Sequence, residues 1–128
     1  MASRVVHFEI PSDDPDRAAK FYSAAFDWKI QKWSGPQDYW LVDTGEGEPG
    51  INGGITRRNA SFDRVVNTIS VDDIDDATAR VRESGANLIG EKMTIPDIGY
   101  LQYAMDPDGN MFGMMQPVAA AAPSASGG

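Results

Sequence analysis

The chain of 128 residues has a single histidine, His7, and Glu9 follows it two residues later. On an extended strand these two side chains share a face, because successive residues alternate sides. A neutral imidazole can bind a ligand or move a proton, and a nearby carboxylate can orient it or raise its pKa. The plainer alternative is a hydrogen-bonded strand histidine beside a solvated glutamate. Asn52 shares a face with Gly54 and offers both a donor and an acceptor. It can equally steady a glycine-rich strand whose backbone lets another group come close. Thr68 and Ser70 add hydroxyls on the face of Val66. Met111 and Met115 make an adaptable apolar wall or ordinary core. Trp33, Tyr39 and Trp40 can stack on a planar ligand. Register leaves open which of Tyr39 and Trp40 faces inward, and Trp40 is carried as the candidate. Lys92 can meet an anion or sit as a surface lysine. The ligand-binding candidates are therefore His7, Glu9, Trp40, Asn52, Thr68, Lys92 and Met111, with His7 the candidate catalytic residue.

Other chemistries find no support. The absence of cysteine removes disulfides, thiolate metal sites and cysteine nucleophiles, and fits a reducing cytoplasm. No glycine-rich loop ends in Lys-Ser/Thr, and Gly53-Gly54 lies in a strand rather than before a helix. There is no GxSxG nucleophile elbow, and nothing marks a serine partner for His7. A net charge of −8 argues against nucleic acid and anionic membrane as partners. No segment approaches the roughly 18 apolar residues of a membrane span, and the start of the chain reads as strand rather than signal peptide.

The elements that position these residues follow from periodicity. Val5–Ile10 alternates as a strand, with Val6, Phe8 and Ile10 on one side and His7 and Glu9 on the other. Asp13-Asp14-Pro15 is a helix start, and Ala18, Phe21, Tyr22, Ala25 and Phe26 form its apolar face. Trp28–Trp33, Tyr39–Asp43 and Ile51–Thr56 read as further strands, and 57–64 as a linker. The pattern then restarts: strand Val65–Val71, a helix opened by Asp72-Asp73 and closed by Gly85, and strands Leu88–Met93, Tyr100–Met105 and Met111–Gln116. Asp106-Pro107-Asp108-Gly109 is the turn before the last strand.

A shift of about 59 residues lays Asp13-Asp14 on Asp72-Asp73, Ala18 on Ala77, Ile30 on Ile89, and Gly50 and Gly54 on Gly109 and Gly113, without a gap. The fold expected is α+β: two tandem βαβββ modules forming a curled mixed sheet around a trough, with helices on the convex side. A single domain spans 1–117, module one about 4–57 and module two about 64–117, with a flexible tail over 118–128.

These residues resemble the vicinal oxygen chelate superfamily of glyoxalase I, extradiol dioxygenases and the bleomycin-resistance proteins. The resemblance spans about residues 4–117. It rests on His7, Asp14-Pro15-Asp16-Arg17-Ala18 with Phe21-Tyr22, Val71-Asp72-Asp73 and Asp106-Pro107-Asp108-Gly109-Asn110. His7-Phe8-Glu9-Ile10, Gly50-Ile51-Asn52-Gly53-Gly54-Ile55 and Gly109-Asn110-Met111-Phe112-Gly113 are similar to uncharacterised bacterial glyoxalase-like members.

The resemblance implies metal ligands on the first and last strand of each module, and these positions fall on His7, Gly54, Val66 and Gly113. Only His7 carries a donor, so no metal and no other cofactor is expected. The leading expectation is a cytoplasmic protein that binds a small organic molecule, similar to the drug-sequestering branch, with a homodimer as one arrangement. The alternatives are a metal-dependent lyase, isomerase or dioxygenase resembling glyoxalase I, a metal-free enzyme with His7 as general base, or a pure interaction module.

Overall fold

A computed structural model describes residues 3–118. The elements are β1 (Val5–Ser12), α1 (Pro15–Phe26), β2 (Lys29–Lys32), β3 (Tyr39–Asp43), β4 (Asn52–Arg57), β5 (Val66–Ser70), α2 (Ile74–Glu83), β6 (Asn87–Ile95), β7 (Gly99–Met105) and β8 (Met111–Pro117). The βαβββ order occurs twice, and the fold class is α+β, as expected. The chain divides into two compact units, Val6–Val66 and the remainder. The tail expected over 118–128 lies, except for Val118, outside the described residues.

In the first unit the strands lie in the order β2-β3-β4-β1. β1 runs parallel to β4, and the other two pairings are antiparallel. One face is apolar because it packs against α1. Trp40, Val42 and Ile55 form its buried centre, with Phe8, Ile10, Ala18, Ala19 and Tyr22 packed around them. Asp14 caps α1 by accepting from the Arg17 N–H at 3.1 Å, and Pro15 occupies the first turn, where a missing N–H costs nothing. Two details depart from the sequence reading. Val6, assigned to the helix side, is exposed, and Phe21 and Phe26 of the apolar helix face are 58% and 59% exposed. The sheet under α1 covers Ala18, Ala19 and Tyr22 but does not reach those two rings, which pack on Tyr22 and on one another instead.

The second unit repeats the plan, with strands ordered β5-β8-β7-β6 and β5 parallel to β8. Asp73 caps α2 by accepting from the Asp75 and Asp76 N–H groups, both at 3.0 Å. The two capping aspartates hold the same place in the two modules, so the repeat is structural as well as textual. β6 runs longer than the segment Leu88–Met93 because a bulge between Ile89 and Met93 absorbs a break in register. The buried Gln102 amide donates to the carbonyl oxygens of Gly90 (3.1 Å), within the irregular stretch of β6, and of Tyr103 (2.8 Å) in β7.

Candidate functional site

Strand pairing in the first unit gathers a polar group on the face away from α1. His7 stands opposite Asn52, Glu9 opposite Gly54, and Gly54 opposite Leu41. Residues in register share a face, so His7, Glu9, Asn52, Gly54, Leu41 and Tyr39 belong to one side. Tyr39 settles the choice the sequence left open. Its hydroxyl lies 2.7 Å from His7 Nε2, and the two rings are nearly parallel at 15°. A Cβ at position 54 would fall among the Oη, Cζ and Cε2 atoms of Tyr39. The phenol therefore occupies the volume a longer residue at 54 would need. Trp33 flanks it edge-on, with centroids 6.4 Å apart, and the Trp33 backbone N–H donates to the Tyr39 carbonyl at 2.7 Å.

Electrostatics follow from burial. Desolvation pushes His7 below the ordinary imidazole value, partly opposed by the negative Glu9. Burial also pushes Tyr39 far above the usual phenol range, and the negative charge of Glu9 pushes it the same way. Near neutral pH the group is thus a neutral imidazole, a neutral phenol and the largely buried side chain of Glu9, 8% exposed. Such a cluster can accept or donate one proton and hold a polar ligand atom. Tyr39 was reached only as an alternative to Trp40, and Trp33 only as a stacking candidate. The signal available in sequence was alternation along β3, and it lacked a fixed starting point.

The remaining candidates go elsewhere. Trp40 lies on the opposite face, 5% exposed under α1, and its indole N–H donates to Asp16 at 3.2 Å. Lys32 and Arg57, both paired with Asp38, cover its ring from 5.2 and 5.6 Å. Its place beside a planar ligand is therefore corrected: one residue of register sends it into the core. Asn52 shares the His7 face, but its Oδ1 accepts from the Thr44 N–H at 2.9 Å and ties down the loop between β3 and β4. In the second unit Thr68 is 2% exposed and Met111 is buried, on the same face as Gly113. A Cβ at 113 would stand 3.1 Å from both Thr68 Oγ1 and Tyr103 Cε1. Lys92 pairs with Asp75 of α2 at 3.1 Å and rests over Tyr100.

A divalent metal does not fit the positions that the resemblance marks for it. His7 is hydrogen-bonded to a phenol, and that phenol fills the space over Gly54. At the positions marked in the second repeat, Val66 is a fully buried aliphatic, and Gly113 is closed over by Thr68 and Tyr103. Among the described residues no three His, Cys, Asp or Glu side chains come together as a metal-holding group. Divalent sites of the nitrogen and oxygen type draw three or more such donors.

Comparison with known proteins agrees with this architecture. The family model described as Glyoxalase/Bleomycin resistance protein/Dioxygenase superfamily matches residues 4–114. CFP32 of Mycobacterium bovis, provisionally named a glyoxylase, is 26% identical over 117 residues, covering 85% of this chain. This chain spans only 42% of that relative's length. Among solved structures, the hypothetical protein BH1468 of Bacillus halodurans superposes with a TM-score of 0.71 at 12% identity, covering 91% of this chain and 95% of its own. A Streptomyces coelicolor methylmalonyl-CoA epimerase variant in complex with 2-nitronate-propionyl-CoA gives 0.69 at 15% identity, covering 93% and 97%. These structural likenesses speak to the fold.

Proposed function

We propose, from the premise that this chain belongs to the Glyoxalase/Bleomycin resistance protein/Dioxygenase superfamily, that it binds a small organic molecule on the His7 face without a catalytic metal. One observation carries the reading: the Tyr39 phenol stands over Gly54 and engages His7 Nε2. The ring takes up the room for a donor at 54 and one nitrogen of the remaining imidazole. What it leaves is a partly buried face with Trp33 and Tyr39 for stacking and a His7–Glu9 pair for polar contact. Aromatic walls with a few convergent polar groups are the usual make-up of a small-ligand site. Asn52 enters this reading as a further contact, while Thr68 and Met111 lie buried in the second unit and are left out of this site. Lys92 and Trp40, each engaged on the helix side of its own module, drop out of it.

The test is a thermal-shift screen of the full chain against aromatic and heteroaromatic compounds, with hits repeated on His7→Ala and after chelator treatment. Stabilisation that survives chelation and is lost in His7→Ala is the expected result. Metal near one equivalent per chain in protein purified without chelators, released by His7→Ala, would sink it. The reading includes a cytoplasmic setting and leaves a homodimer open to gel filtration. Among the described residues no helix is long and apolar enough to cross a membrane.

A second reading is favoured by the His7–Tyr39 bond: a metal-free enzyme in which His7 is the general base. A neutral imidazole with a pKa below its ordinary value is in the right protonation state at neutral pH. The epimerase resemblance suggests acyl thioesters as first substrates to assay. Turnover that survives chelation but not His7→Ala would select this reading over simple binding.

A further inference from the structure

We infer that the second unit carries a ligand site of its own, between α2 and its sheet, for a compact aromatic carboxylate whose ring enters an apolar cavity and whose charge meets Arg80. The site is separate from the His7 face and does not rest on the reading given for that face.

The repeat is what exposes it. Each unit lays one helix over one apolar sheet face, so the filling between them can be compared position by position. Phe8 pairs with Gly53 in the first unit and Asn67 with Phe112 in the second, the same shift of about 59 residues. Along the helices that shift sets Val81 where Tyr22 stands. The first left-handed residues after the helices are Asp27 and Gly85, so Ala86 follows where Trp28 does. The ladders agree, because Ile30 reaches Gly53 through Val42 just as Leu88 reaches Phe112 through Ala104. In the first unit the Tyr22 and Trp28 rings stack at 4.9 Å and 8°, and both pack on the buried centre of Trp40, Val42 and Ile55. A valine and an alanine cannot fill the volume of a phenol and an indole. Phe112 does not make up the difference, since it only moves the ring of Phe8 to the neighbouring strand of the ladder.

The space left is a cavity of about 380 Å³. Ile69, Val71, Phe112 and Met114 line it from the sheet, and Val81 and Ala86 from the helix and its end. Small-molecule pockets run from about 300 to about 1,000 Å³, and an apolar cavity of roughly 150 Å³ is enough to take up benzene. A ring entering here gains what Tyr22 and Trp28 gain in the first unit: apolar surface leaves water, and aliphatic and thioether walls come into contact.

Charge selects the rest of the ligand. The two charged side chains that line the cavity are Arg80 and Asp106. The Asp106 carboxylate is taken up by its own turn, where it accepts from the Asp108 and Asn110 N–H groups, both at 2.9 Å, and from the Asn110 amide at 3.3 Å. Arg80 is exposed, and among the described residues its guanidinium has no ion-pair partner. A free guanidinium beside an apolar cavity suits a carboxylate, which it can hold through two parallel N–H bonds.

The probe is naphthalene carboxylate, titrated into the methyl-labelled full chain and followed by NMR. Saturable shifts of the Ile69, Val71, Val81 and Met114 methyl signals are expected, with the same affinity in His7→Ala. Val81→Phe returns a ring to the cavity and should abolish those shifts while raising the thermal midpoint. Arg80→Gln, an exposed change, should weaken the carboxylate about fivefold and leave the neutral naphthalene carboxamide unaffected. If Val81→Phe does not fold, the comparison of the two probes on Arg80→Gln decides. The inference is overturned by an absence of methyl shifts at millimolar probe, by unchanged binding to folded Val81→Phe, or by an Arg80→Gln variant that treats both probes alike. Binding lost in His7→Ala would also overturn it, by assigning the probe to the His7 face. A thermal-shift screen without His7-dependent hits counts against the reading of that face and leaves this cavity untouched.

Discussion

At Gly54 even a methyl group would have to enter the Tyr39 ring, so the two positions depend on each other. Gly54→Ala is expected to destabilise the fold by about 1–3 kcal/mol through overpacking. Tyr39→Ala in that background should recover part of the loss, giving a coupling energy in a urea-denaturation double-mutant cycle. Additive effects would mean that the ring does not sit over residue 54. His7 supplies a second prediction. Its pKa is lowered in the folded state, so below the ordinary value of 6.5 the unfolded chain takes up a proton first. Its contribution to stability is complete above pH 6.5 and is lost as pH falls from there toward the folded pKa. His7→Phe should remove that segment of the stability–pH profile. A parent profile flat from pH 7 through the mildly acid range would contradict the depressed value. His7 and Glu9 were legible in sequence because alternation needs only a strand. Tyr39 was not, because which of two adjacent aromatics faces the site depends on where β3 starts.

At the level of elements, the helix caps carry most of what sequence chemistry can say. In α2, Asp73 accepts from two backbone N–H groups and Gln116 accepts from the Ile74 N–H at 2.9 Å. α1 has a single such acceptor bond from Asp14. Asp73→Ala should therefore cost about 1 kcal/mol or somewhat more, and Asp14→Ala less, by thermal or urea unfolding. Equal losses would show that the extra bond in α2 contributes nothing. On β3, Trp40→Phe removes the bond to Asp16 and part of the surface under Lys32 and Arg57. A loss of about 0.5–1.5 kcal/mol is expected from the hydrogen bond alone, with ligand binding on the His7 face unaltered. Both caps were readable from Asp14-Pro15 and Asp73, since an aspartate before a helical run has a defined partner. The extension of β6 was not, because a bulge is decided by what the neighbouring strand can pair with.

For the whole molecule, 19 acidic residues against 11 basic ones leave a charge of −8. The ion pairs formed, such as Lys32–Asp38 and Arg58–Asp13, are exposed and contribute little each. Net repulsion should therefore outweigh them. Raising NaCl from about 0.01 M to about 1 M shortens the screening length from roughly 30 Å to roughly 3 Å and should raise the urea midpoint. A falling midpoint would show that attractive pairs dominate. The sequence by itself determined the doubled βαβββ order and the two aspartate caps. These are local or periodic properties, fixed by backbone geometry and by the alternation of side chains, and the repeat makes each half a check on the other. Only the tertiary structure decided what stands over the glycines: Tyr39 at Gly54, and Thr68 with Tyr103 at Gly113. A glycine announces an empty volume, but the side chain that fills it comes from another strand. Its arrival depends on register, which no single segment contains.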